Sequence, residues 1–202
     1  DVDDASDTPA EPDAPPECMP ECGANAHCDL SGTPTCVCDD GYEGDGMVCT
    51  EITIPDWVGV THALDKIRTD DALPTGEEAS IEAARNEFEA FQIAVDGGAG
   101  GRTIDSVTLD ALTGPEGATI GGDSIVIYRV GLVDLPSASN LEGDDGLWPD
   151  PLIPTVDPFY GEERDAFPLT VDADQVRAIW VDVHVPNDAT AGVYAGDVVS
   201  EW

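Results

Sequence analysis

The sequence predicts an all-β protein made of a small disulfide-rich module and a larger antiparallel β-sandwich. Three observations carry that prediction. All six cysteines fall within residues 18–49. From residue 55 onward apolar and polar residues alternate with period two between Gly, Pro, Asn and Asp breaks, the pattern of strands and turns. Helical composition is confined to one short stretch, "EEASIEAARNE" at residues 77–87. The 202-residue length suits one mid-sized domain and one small one.

The charge narrows the function classes. Lys and Arg number 7 against 43 Asp and Glu, a formal net charge of -36, and Lys66 is both the first basic residue and the only lysine. Nucleic acid is excluded as a partner, because phosphate binding needs a cationic face that releases counterions. An anionic membrane surface repels the chain for the same reason. The acidity reads first as the solvated surface of a secreted or salt-adapted protein, then as calcium binding in acidic loops, then as attraction to a cationic partner. No apolar run approaches the ~18 residues a membrane helix needs. The chain opens at Asp1 without a cationic, then apolar, signal segment, which reads as a processed product or a fragment.

Residues 1–17, "DVDDASDTPAEPDAPPE", hold Val2 as their single large apolar side chain. Such a segment cannot offset its ordering entropy by burial, so an extended, disordered, acidic proline-rich tether is expected.

Residues 18–49 follow the spacing C-x3-C-x5-C-x7-C-x-C-x10-C with almost no aliphatic residues, as in modules too small to fold without staples. Zinc would require C-x2-C knuckles, which are missing. The spacing alone leaves the pairing open. The phrase "ECMPECGANAHCDLSGTPTCVCDDGYEGDGMVC" resembles an EGF-like domain in its C-x-C step, its "GYEGDG" turn and its "NAHC" approach to the third cysteine. The resemblance implies the pairs Cys18–Cys28, Cys22–Cys36 and Cys38–Cys49. Gly41 and Gly44, on either side of Tyr42, suit the positive φ of tight turns. Calcium-binding members carry an acidic lead-in and an aromatic before the fourth cysteine. Here Glu17 alone adjoins Cys18 and Thr35 takes the aromatic's place. No cofactor is therefore expected; calcium is the lesser alternative, with Glu17 and Asp29 the residues to test.

Residues 50–54 read as a linker, and 55–202 as the sandwich. "EFEAFQIAVDGG" puts Phe91, Ile93 and Val95 on one face before a glycine pair, and "DSVTLDAL" does the same with Val107 and Leu109. "SIVIYRVGLVDLP" is apolar enough for a central strand. "QVRAIWVDVHVP" alternates most clearly: Ile179, Val181, Val183 and Val185 against Ala178, Trp180, Asp182 and His184. A "PNDATAG" turn then leads into "AGVYAGDVVSEW". Between them "DGLWPDPLIPTVDPFYG" carries four prolines, which predicts a long loop that crosses the sandwich and buries its aromatics.

"ARNEFEAFQIAV", "LWPDPLIP" and "RAIWVDVHVPNDATAGVYAGDV" together resemble the β-sandwich domain that precedes the catalytic barrel in bacterial glycoside hydrolases of the β-N-acetylgalactosaminidase type, a domain shared with proteins of unknown function. The resemblance spans roughly residues 55–200 in the family's order. It implies a secreted, glycan-related setting. It also implies that the catalytic carboxylates belong to a following (β/α) barrel, so no catalytic residue has a matching position in this chain.

The remaining candidates are weaker. Glu162 with Glu163 and Asp144 with Asp145 are adjacent acid pairs of the kind glycosidases use, but composition this acidic produces such pairs as solvated loop residues. Asp182 and His184 share a strand face with Trp180, an arrangement that serves packing more often than acid–base chemistry. His27 and His62 are scattered, and "GGAGGR" at residues 97–102 lacks the Lys-Ser/Thr of a phosphate loop, leaving a loop connection. Trp148 and Trp180 are the candidate glycan contacts, although packing is the expected use of both. These readings predict a non-catalytic extracellular fragment or accessory protein, secreted or tethered at the cell surface, whose partner is a glycan or a neighbouring catalytic domain. A glycoside hydrolase whose barrel lies outside this chain and a structural spacer are the alternatives.

Overall fold

The computed structural model describes residues 18, 21–39, 41–51, 55–138, 140–141 and 143–202. The expected tether, Glu17 included, and residues 52–54 of the expected linker lie outside them. The chain divides into two compact units between Ile54 and Pro55.

The first unit has two short antiparallel ribbons. β1 (Ala26–Asp29) pairs with β2 (Thr35–Cys38), and β3 (Tyr42–Gly44) with β4 (Cys49–Glu51). Thr50 and Glu51 are thus strand residues opposite Glu43 and Tyr42, not linker. Disulfides join Cys18 to Cys28, Cys22 to Cys36 and Cys38 to Cys49. Among the described residues of this unit only Cys18 and Gly46 are buried. Leu30, Val37, Met47 and Val48 are exposed, so the cross-links replace an apolar core. Gly44 has φ 148° and faces the Val48 carbonyl so closely that a Cβ would collide with it. The Asp45 carboxylate closes the following turn by accepting from the N–H groups of Met47 (3.0 Å) and Val48 (2.9 Å).

The second unit runs through β5 (Val58–His62), β6 (Phe88–Asp96), β7 (Arg102–Ile104), β8 (Ser106–Thr108), β9 (Ala111–Thr113), β10 (Thr119–Gly121), β11 (Ile125–Leu135), β12 (Gly146–Pro154), β13 (Leu169–Val171), β14 (Val176–His184) and β15 (Val199–Glu201). Its main sheet is antiparallel in the order β12-β11-β14-β6-β5. Three ribbons, β7 with β13, β8 with β15 and β9 with β10, form the opposing layer. That layer is divided because its strands are only three residues long, cut by Gly, Pro and Asp. The core lies between the layers: Phe91, Ile93, Val95, Ile179, Val181 and Val183 from the sheet meet Ile104, Val107, Leu109, Ile120, Leu169 and Val171. Alternation along β6 and β14 thus places one apolar row inward, as the sequence predicts.

Residues 77–87, helical in composition but short, form no helix, in keeping with the all-β expectation. Their end is shaped by an Asn86 φ of 61°, by the Glu87 carboxylate accepting from Ala84 N–H (2.6 Å), and by Asn86 N–H donating to the Val185 carbonyl (2.7 Å). Sheet contact outweighs helical composition there. The proline-rich stretch is not a loop throughout, since residues 146–154 form the edge strand β12. Proline is admissible where one side of the strand carries no ladder, and the register shift between Val130 and Leu132 absorbs the irregularity. Its aromatics are not buried either: Trp148 is half-buried, and Phe159 and Tyr160 are 84% and 72% exposed.

Candidate functional site

One end of the sheet face opposite the ribbons is covered by described residues. There Ile67 and Leu73 pack on Ala94, Val130, Val176 and Ala178. Gln92, 2% exposed, anchors the covering segment: its amide nitrogen donates to the carbonyls of His62 (3.2 Å), Ala63 (3.4 Å) and Asp65 (2.8 Å). The Thr61 hydroxyl donates to Asp65 in the same turn. Trp180, directly opposite Gln92, borders the Ile67 cluster and packs against it, and beyond it Tyr128, Asp182 and His184 are half-exposed and Phe88 is 66% exposed. Their order follows from register, since Trp180 lies opposite Tyr128 and His184 opposite Phe88.

The groups on this face are engaged with each other. The Trp180 indole N–H donates to the Asp182 carboxylate at 2.6 Å. His184 stacks on Phe88 with ring centroids 4.5 Å apart. Burial, and then the negative charge of Asp182, raise the Tyr128 phenol above its usual range. Asp182 and His184 therefore face separate partners and do not form an acid–base couple.

Trp148 is held elsewhere. The Arg68 guanidinium lies over its ring at 4.8 Å, and its indole N–H donates to the Asp144 carbonyl at 3.0 Å. Of its neighbours along β12, Pro149 is buried while Leu147 and Leu152 are 40% and 38% exposed. Asp144 is held below the usual carboxylate range by the Asp145 N–H and then by Arg68. Glu162 pairs with Arg164 at 2.7 Å, and Glu163 is exposed beside it. His27 is exposed, with Asp39 as its neighbour at 2.9 Å, and His62 adjoins Asp65 at 3.6 Å. Residues 97–102 make a short connection whose Arg102 stacks on Trp57 at 4.4 Å. The sulfur atoms of Cys18, Cys22 and Cys36 cluster closely, but each is in a disulfide and offers no thiolate to a metal.

Sequence reasoning missed the turn at residues 155–164. Asp157 accepts from the N–H groups of Phe159 (2.9 Å) and Tyr160 (2.8 Å), which lowers its pKa. The two rings pack edge-to-face at 4.8 Å. The signal available was the "DPFYG" turn, an Asp-Pro start with glycine four residues on.

No family model and no curated protein matches the sequence. Among solved structures, the fold is similar to a family 123 glycoside hydrolase from Clostridium perfringens described for glycolipid glycan hydrolysis. The TM-score is 0.46 with 14% identity, over 59% of this chain and 19% of that one. Three disulfides suit an oxidising, extracellular setting. Among the described residues no helix is long and apolar enough to cross a membrane.

Proposed function

We propose that this chain is a non-catalytic part of a secreted or surface-tethered protein, which positions its neighbours and contacts glycan. The supporting observation is the condition of the one face where acid, imidazole and indole meet. Asp182 is occupied by the Trp180 N–H and His184 by Phe88. Assays of the full chain on aryl N-acetylhexosaminides and other aryl glycosides are expected to show no turnover. Turnover abolished by Asp182→Asn or Glu163→Gln would overturn this reading.

The half-exposed Tyr128 and Trp180, with the exposed Phe88, support a second reading. In it the chain is the leading part of a glycoside hydrolase, and this face carries the following domain. A coding sequence that continues into a (β/α) barrel would favour it. Single-tryptophan variants discriminate further, because acrylamide quenching of Trp180 should fall sharply once that domain is attached.

A further inference from the structure

We infer that the turn at residues 155–164 is a stacking site for neutral pyranosides, with Phe159 and Tyr160 as its two contact faces. The inference rests on the glycan-contact reading above and moves that contact away from Trp148 and Trp180. The turn is built without help from the two rings. Asp157 N–H donates to the Glu162 carbonyl (2.7 Å), Gly161 N–H to the Asp157 carbonyl (2.8 Å) and Arg164 N–H to the Thr155 carbonyl (2.8 Å). The Asp157 carboxylate holds the Phe159 and Tyr160 N–H groups, and the Arg164 guanidinium ties Asp157 (3.3 Å) to Glu162 (2.7 Å). The backbone is thus fixed while both side chains stay in water, at 84% and 72% exposure. Large rings held in water on an ordered turn contribute nothing to the core, but they lower the ordering cost of binding.

Geometry and charge define the ligand. The ring planes meet at 79°, an L-shaped step that receives the C–H face of one sugar ring and the edge of that sugar or the next. The Tyr160 hydroxyl and the exposed Glu163 carboxylate supply polar contacts for sugar hydroxyls. Asp157, Glu162, Glu163 and Asp165 surround a single cation, Arg164, so uronates and sulfated sugars are repelled. A protein partner fits less well, because a specific interface buries about 800 Å² on each side and the apolar surface of this turn is two rings and the half-exposed Val156, bordered by acids. Trp148, under Arg68, and Trp180, bonded to Asp182, are already engaged.

The test is calorimetry and protein-observed NMR on the full chain. The probes are neutral oligosaccharides of glucose, galactose and N-acetylhexosamine, with sulfated and uronate counterparts. A neutral oligosaccharide is expected to bind and to shift the Phe159 and Tyr160 ring protons. Phe159→Ala and Tyr160→Ala should each weaken binding roughly tenfold, whereas Tyr160→Phe, which keeps the ring and gives up only the hydroxyl contact, should weaken it by about threefold at most. Unchanged melting curves would show that the alanine variants fold. Binding that survives both alanine variants, or is lost only in Trp148→Ala or Trp180→Ala, sinks this site while glycan contact stands. Tighter binding of sulfated sugars refutes the neutral class. Absence of binding across the panel removes both readings. Self-association abolished by Phe159→Ala, without saccharide binding, would assign the turn to contact between copies and overturn the inference.

Discussion

Gln92 shows how one polar side chain organises its surroundings. Its amide sits on β6 at 2% exposure and serves three carbonyls of the 62–65 turn. Leucine there would keep the volume but leave those acceptors short of a donor. Gln92→Leu is therefore expected to destabilise the second unit by about 1–3 kcal/mol, read as a lower denaturant midpoint at unchanged slope. The exposed aspartates that close turns set a pH dependence. Asp29, Asp45, Asp144 and Asp157 have folded pKa values below the 3.8 of the free side chain, mainly through accepted backbone N–H bonds. A depressed pKa means that the contribution is present above the unfolded value and lost as pH falls through the folded one. The amide signals of Ser31, Val48, Asp145 and Tyr160 should accordingly hold steady down to roughly pH 5 and move only in stronger acid. Midpoints at or above the 3.8 of the free side chain would contradict the capping geometry. The partners of Trp148 were not legible in the sequence, because Arg68 and the Asp144 carbonyl arrive from loops that alternation does not locate.

At the level of elements, legibility follows the strength of alternation. β6 and β14 pair over nine residues, and each turns one apolar row into the core, as their period-two patterns predict. β11 lies between two strands, as its apolar run predicts. β12 was hidden because proline is read as a strand breaker, yet an edge strand needs its ladder on one side only. Residues 77–87 have helical composition yet form no helix, since local propensity is weak against tertiary contacts. The edge strand β5 supplies a packing test. Gly59 lies opposite Ala94, and a Cβ on it would fall on the Pro74 carbonyl oxygen. The neighbouring Val60 N–H donates to the Gly76 carbonyl at 2.7 Å, so the covering segment cannot retreat freely. Gly59→Ala is expected to cost about 1–3 kcal/mol, whereas Gly100→Ala, with open space around its Cβ, should be nearly neutral. Equal midpoints for the two variants in chemical denaturation would refute the close approach.

Across the whole molecule, stability has two separate sources, cross-links in the first unit and an apolar core in the second. Reduction should unfold residues 18–51 and leave the second unit's strand signal in circular dichroism intact, because all three disulfides lie before Ile54. Charge opposes compactness in both units. None of the seven cations precedes Lys66, and those present are largely engaged in the second unit. Arg68 and Arg102 stack on Trp148 and Trp57, and Arg164 braces the aromatic turn. Arg177 is half-buried, its pKa lowered by desolvation and then by neighbouring Arg129. Seven cations placed in this way cannot neutralise 43 acids. Mutual repulsion among those acids acts over about 10 Å at 0.1 M salt and about 3 Å at 1 M. The melting temperature should therefore climb steadily from low to near-molar sodium chloride. Magnesium and calcium at equal millimolar concentration should act alike, since screening depends on charge and not on coordination geometry. A melting temperature that stayed flat across the salt range would mean that the surface acids contribute no net repulsion. A rise specific to calcium would instead point to an ordered carboxylate site, with Glu17 and Asp29 the first side chains to substitute.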